Sequence, residues 1–536
     1  MTESSRRLQF LIRSRIDILH WPDGSLVKRT LIVIHRYTSA ALCLLFAVWF
    51  VSGVAMAYFR TPVLTEDQRL AFAAPFAAAP GTRSPEQIPQ LADSWTSTDT
   101  LRLARWQDRL LYRWRTSNTG WHSAWADTGA PPNFDGASLA SEAERWFGPG
   151  TGVRYDGAFT EHSQWSYFAQ AREHYPLHRF STVGPAPRQV FFSSRTGEPI
   201  VATSFGSRVL YYLGPGLHYF SFYPIRNNNR LWRGLVNWSS GIGAFTCLVG
   251  LIVGLWQLRW RAIGTGRRVV PYAKFWMRWH HWLGLVFGLL TFTFVLSGLF
   301  SMNPAGIFPS TEIPSPMKAG YLGEQPPLST LPSPEGVPAD LGRAATVKEL
   351  EWSRLHGQAY VVARETATTQ SILWPHGNVL AARPPFSESE LVGLVRGVLP
   401  APIGAVERLS QFDDYYYARK DRILPLPVVR LRLQDDRGSW YYMDPGTGQL
   451  FLRSDEGTRL RRWLYNGLHS FDMQSLLRSG WWWDVTIWML SLCGFALSTT
   501  GVVVAWQWIR RSVVPVMTFP AVSRTTESPL NEGEAS

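Results

Sequence analysis

Cysteine, acidic residues inside apolar runs and nucleotide-binding fingerprints are what this chain has least of. Of 536 residues only Cys43, Cys247 and Cys493 are cysteine, each within an apolar run. No pair is placed to clip a polar domain, and no Cys-x-x-Cys-His attaches a c-type haem. They read as small packing residues. Asp484, at the edge of the last apolar run, is the only acid in any of them, and no run looks broken. That argues against transport as the main task, because intramembrane carboxylates mark ion and substrate pathways. The arginine-bearing N-terminus lacks a short apolar core with a small-residue cleavage site, so no cleaved leader is expected. No glycine-rich dinucleotide fingerprint follows a strand, so neither a flavin nor a nicotinamide domain is expected. The net charge of +13 comes without a recognised nucleic-acid motif. No nucleic-acid partner is expected.

What the chain does have is tryptophan, 26 of them, crowding the ends of long apolar runs, where interfacial belts put them. The reading is a basic arm at 1–30, spans at 31–59, 231–258, 279–302 and 483–509, and polar segments at 60–230 and 303–482. A basic linker at 259–278 and a tail at 510–536 complete it. Each span suffices for a hydrocarbon core of about 30 Å. Arg259, Arg261, Arg267, Arg268, Lys274 and Arg278 flank the linker without an acid, and Arg510 and Arg511 follow the last span. Positive charge stays inside, so both termini are expected in the cytoplasm and both polar segments outside. The fold class expected is an α-helical membrane protein, a four-helix core from two tandem repeats carrying two α+β outer domains.

The repeat is legible directly. His35 maps to His280 and Ser52-Gly53 to Ser297-Gly298 at an offset of 245, with Ser39 and Cys43 in the places of Gly284 and Gly288. Gly216-Leu217-His218 maps to Gly467-Leu468-His469 at 251, as do Thr196-Gly197 to Thr447-Gly448 and Arg208 to Arg459. Repeats this long mean duplicated domains. Aromatic, strand-like runs at 188–192 and 439–443 lead into turns and further apolar strands, a hairpin signal. Ser138–Phe147 and Ser387–Val398 read as helices.

Four histidines stand at matched positions, His35 and His280 toward the inner face and His218 and His469 toward the outer. Neutral imidazole is a common axial ligand of haem iron, and facing histidines in a bundle make a bis-histidine site. Small residues one and two turns past His35 and His280 leave room for a flat macrocycle, although small-xxx-small spacing also serves plain helix packing in lipid. His35, His280, His218 and His469 are therefore the candidate haem-iron ligands. His281, aligned with Arg36, reads as a phosphate- or propionate-facing position beside Arg36, with the two histidine roles open to exchange. Arg278 inside, and Arg226, Arg233 and Arg478 outside, are further propionate candidates, equally explained by membrane-flanking charge. Glu161-His162 and Glu173-His174 with His178 suggest a metal site, but Pro176 interrupts the helix that would align His174 with His178, and surface histidines explain them as well. Tyr415-Tyr416-Tyr417 beside Asp413 and Asp414 would line a substrate surface or form a half-buried strand.

The His35-Arg36 pair, Trp279-His280-His281-Trp282-Leu283-Gly284, Tyr441-Tyr442-Met443-Asp444-Pro445-Gly446-Thr447-Gly448 and the two Gly-Leu-His motifs resemble the PepSY-associated transmembrane proteins, over about residues 30 to 510. That group includes ferric-siderophore reductases and iron-regulated membrane proteins of the bacterial inner membrane. The chain departs from it at His281, where arginine is more usual, and at Ser193-Ser194 in place of Asp-Pro. The resemblance implies outer PepSY domains, two b-type haems, and electrons passing from the cytoplasmic side to a periplasmic ferric complex, a ferric siderophore being the acceptor expected. With no flavin or nicotinamide domain expected, the donor expected is a cytoplasmic reductase or a membrane quinol. The competing reading is a non-enzymatic, membrane-anchored accessory whose outer lobes bind a ligand or partner.

Overall fold

The computed structural model describes residues 26–517 apart from 60, 78, 264–267, 338–345, 378 and 420–422. Most of the basic arm and the end of the tail lie outside the described residues. Four helices are long and apolar enough to cross a membrane. They are α1 (Leu26–Tyr58), α2 (Asn229–Gln257), α3 (Phe275–Ser301) and α4 (Trp481–Met517). Even the shortest, with 27 residues, extends about 40 Å at about 1.5 Å per residue.

The expected helical class is corrected. The chain is mixed α+β, with fifteen strands in three antiparallel sheets beside four apolar helices among the described residues. Among the described residues, every buried apolar cluster lies with the strands and short helices, and none runs along α1–α4. The reason is physical. Apolar helices gain no hydrophobic free energy by leaving lipid for one another, whereas half-apolar strands must bury one face.

Two compact units emerge. One gathers Met1–Val51, Gly241–Val295 and Met489–Ser536; the other gathers Ser52–Ser240 and Leu296–Trp488. The second unit holds all the strands. In chain order these are β1 (Thr98–Trp106), β2 (Arg109–Thr116), β3 (Gly120–Trp125), β4 (Val153–Phe159), β5 (Leu177–Thr182), β6 (Gln189–Ser193) and β7 (Pro199–Thr203). The later half supplies β8 (Glu349–Leu355), β9 (Gln358–Arg364), β10 (Gln370–His376), β11 (Val379–Arg383), β12 (Ile403–Leu409), β13 (Val428–Leu433), β14 (Trp440–Met443) and β15 (Leu450–Ser454).

Two four-stranded sheets, β4-β5-β6-β7 and β12-β13-β14-β15, repeat each other strand for strand. Their hairpins turn at Gly197 (φ 68°) and Gly448 (φ 74°), the left-handed region that favours glycine. A Cβ on Gly197 would also stand 2.5 Å from a ring carbon of Phe134. Helices form at Ala140–Phe147 and Glu388–Val395, within the stretches read as helical.

The third sheet joins the halves, in the order β11-β10-β9-β8-β1-β2-β3. Its central pair sets Leu101 opposite Trp352 and Arg102 opposite Glu351. Leu101 and Trp352 differ by 251, the repeat offset, so the two copies meet about a local two-fold axis. The two polar segments thus share a sheet that neither could complete alone.

Beneath it lies a buried ion cluster. Arg69 donates to Glu198 at 2.7 Å, to Glu349 at 2.7 and 2.8 Å, and to Glu66 at 2.6 and 3.0 Å. Arg113 stands 3.6 Å from Glu198, and Arg364 2.9 Å from Glu351. Burial would raise the Glu66 carboxyl, but Arg69, Arg102 and Arg364 outweigh it and hold it at about 2. Such a cluster is a poor net stabiliser, yet it penalises any packing that separates its members.

Candidate functional site

In the unit made of Met1–Val51, Gly241–Val295 and Met489–Ser536, the helix segments enclose a cavity of about 1020 Å³. His35 from α1 and His280 from α3 both line it, with Gly250, Gly284, Gly288 and Gly501. His35 Nδ1 lies 3.2 Å from the Thr246 carbonyl oxygen of α2. A carbonyl only accepts, so Nδ1 carries the hydrogen and Nε2 keeps its lone pair. The Ser39 hydroxyl sits 3.2 and 3.4 Å from the two ring nitrogens. His280 Nδ1 lies 3.1 Å from the Thr500 hydroxyl of α4. Both imidazoles rest against glycine: a Cβ on Gly250 would stand 2.5 Å from His35 Cε1, and one on Gly501 3.5 Å from His280 Cε1.

His218 and His469 belong to the other unit and repeat this frame. His218 follows a π-helical turn, Tyr212–Gly216, and His469 follows another, Arg462–Gly467. Such turns recur at functional sites. Phe220 (φ 56°) and Phe471 (φ 51°) then reverse the chain in the left-handed region. Ser52 Oγ lies 3.1 Å from His218 Nδ1, and Ser297 Oγ 3.2 Å from His469 Nδ1. A Cβ on Gly53 would stand 3.5 Å from His218 Cε1, and one on Gly298 3.2 Å from His469 Cε1. The two imidazole centres are 6.0 Å apart, with planes at 63°. Imidazoles on opposite sides of one metal, bonded at about 2 Å, hold their ring centres roughly 6 Å apart.

The donor set therefore fits haem. At each of four histidines a group on a neighbouring helix meets Nδ1 and a glycine backs the ring, an arrangement in which Nε2 would be the atom offered to haem iron. Held Nδ1 atoms are the usual support for metal-binding imidazole. Among the described residues no three His, Cys, Asp or Glu side chains converge as a metal cluster.

His281 and Arg36 line the same cavity, His281 buried with its Nε2 2.8 Å from the Gly254 carbonyl oxygen. The remaining candidates fall elsewhere. Arg226 stacks 4.0 Å over Trp232. Arg233 donates to the Met302 carbonyl at 3.1 Å and Arg478 to the Phe412 carbonyl at 2.7 Å. These three are engaged with the scaffold. His174 and His178 are buried, not surface histidines. His174 stacks on Trp121 and bonds Ser193, and His178 bonds the Tyr155 hydroxyl at 2.8 Å. Tyr416 is buried on Tyr442, with rings 5.0 Å apart, and serves the core.

Sequence reasoning missed Thr246, Gly250, Thr500 and Gly501, and it missed two tryptophans. Trp232 donates to the Tyr219 carbonyl at 2.7 Å and Trp483 to the Ser470 carbonyl at 3.0 Å, each clamping the residue after a histidine. Gly250 with Gly501, and Trp232 with Trp483, lie 251 apart. That spacing was the signal.

No protein-family model matches this chain, and the comparison with curated proteins found no match.

Proposed function

We propose that the protein is a membrane electron carrier with two b-type haems, one held by His35 and His280 and the other by His218 and His469. The observation that carries the reading is the fourfold frame of ring, glycine and Nδ1 partner. When bound, haem accepts and releases single electrons. The chain's own part is to bind, orient and exclude water. Thr246, Thr500, Ser52 and Ser297 set each imidazole's rotation and raise its basicity as a ligand. Glycines 250, 501, 53 and 298 let a second helix approach the rings. Phe46, Leu251, Leu285 and Leu497 line the inner cavity and lower the local dielectric.

The positive flanks support an inner-membrane location with both termini cytoplasmic. Electrons would pass from a quinol or a cytoplasmic reductase to a periplasmic ferric complex, a ferric siderophore being the acceptor we favour. Oxidised and dithionite-reduced spectra of the purified chain, with pyridine-haemochrome quantitation, test this. About two b-type haems per chain are expected; none from haem-replete cells would end the reading. A second reading, a membrane-anchored binding accessory, draws support from the concentration of core in the sheets. It expects no haem.

A further inference from the structure

We infer that the corner of the inner cavity formed by His281, Tyr272 and Gln257 is a binding subsite for a membrane quinol, distinct from the His35–His280 pair. The inference deepens the electron-carrier reading and rests on it for the quinol's role as donor. His281 is only 6% exposed. Its Nε2 faces the Gly254 carbonyl oxygen at 2.8 Å, so Nε2 bears the hydrogen and Nδ1 is a lone-pair acceptor. That Nδ1 is buried without a hydrogen-bond partner, a costly state that native interiors rarely leave uncompensated.

The tautomer is opposite to that of His35, whose Nδ1 is the donor. His281 is therefore turned away from a ligand's role in this frame. It also departs from the expected propionate contact, because a carboxylate only accepts and neutral Nδ1 offers it nothing. The missing partner must donate, and a phenolic hydroxyl does.

Three further observations narrow the ligand. Tyr272 presents its ring to His281 at 5.5 Å and 62°, an edge-to-face wall suited to an aromatic head. The one cavity of about 1020 Å³ runs from the His35–His280 pair to His281, Tyr272 and Gln257, so the corner is continuous with that pair. Leu251, Val253 and Leu285 line the cavity on helices apolar enough to cross a membrane, which favours a lipid-soluble ligand. The subsite also occurs once. The repeat places Arg36 opposite His281 and Val27 opposite Tyr272, so the acceptor and its aromatic wall are absent from the other half.

The probe is 2-heptyl-4-hydroxyquinoline N-oxide, a quinol analogue whose fluorescence is quenched on binding, titrated into the full detergent-purified chain with haem quantified in each sample. Stoichiometric quenching is expected for the wild type, with affinity about tenfold weaker in His281→Phe at unchanged haem content. His281→Gln, whose amide can donate to Gly254, should recover part of it. Quenching absent from the wild type, or equal in His281→Phe and wild type, overturns the subsite. So does loss of haem in both variants, which would return His281 to the haem. Two haems without His281-dependent quenching sink the subsite alone. His281-dependent quenching in a chain without haem keeps the subsite and sinks the electron-carrier reading.

Discussion

The first and second halves of the chain place their histidines alike and surround them differently. In each half a histidine near the start of the odd helix leans on a glycine of the even helix, and a histidine before the even helix leans on a glycine of the odd one. The fit is not equal. The space beside His35 is too tight for a methyl group at Gly250, while Gly501 leaves His280 an ordinary contact. Arg36 of one half is His281 of the other, and the ion-cluster residue Arg69 maps at 251 onto Gly320. Duplication placed the four histidines. Divergence around them made the two copies unequal, which is what the proposed carrier, with a distinct input and output, would need.

The largest expected break of this likeness comes from the ligands themselves. His280→Ala or His469→Ala should each remove one of two haems, halving the pyridine-haemochrome yield, while the double substitution removes both. Equal loss of both haems from one substitution would mean that the pairs are not independent. Next in size is Arg69→Met, which strands Glu198 and Glu349 in the interior. Breaking a buried pair costs about 3–5 kcal/mol, so a fall of about 10 °C in the thermal midpoint is expected. The tight and loose glycines give a sharper, smaller contrast. Gly250→Ala should displace His35 and lower inner-haem occupancy, whereas Gly501→Ala should leave the spectrum nearly unchanged.

The mildest effect is acid lability of the unit that holds the sheets. Burial, aided by the guanidiniums of Arg102, Arg69 and Arg113 against the pull of Glu198, pushes His174 from 6.5 down to about 4. The unfolded chain binds that proton more readily, so stability is present above pH 6.5 and falls as pH drops toward 4. Glu66, lowered from 4.5 to about 2, adds a further loss between those values. Thermal midpoints measured from pH 8 to pH 3 should decline in that order. His174→Gln should flatten the upper part.

Much of the candidate site was legible because it is written twice. His35, His280, His218 and His469 share offsets with their serine and glycine neighbours, so a matched spacing flagged them without coordinates. Thr246 and Thr500 were not legible, because each meets its histidine from another helix and neither carries a motif. The tautomer of His281 was not legible for a similar reason. Its alignment with Arg36 suggested a basic contact, while the Gly254 carbonyl that faces its Nε2 lies 27 residues away. The fold class was misread because long apolar runs dominate a sequence by eye, while short strands with modest alternation build most of the packed core.

The sequence by itself determined the four apolar helices, the duplication, the hairpins and the matched histidines. These follow from local physics, namely apolar length, period-two alternation, glycine turns and self-similarity. Only the tertiary structure decided that β1 and β8 pair to fuse the two polar segments, that Arg69 gathers three carboxylates, and which nitrogen of each histidine is held. Strand register between residues 251 apart and the partner of a ring nitrogen depend on groups distant along the chain, and no local pattern encodes them.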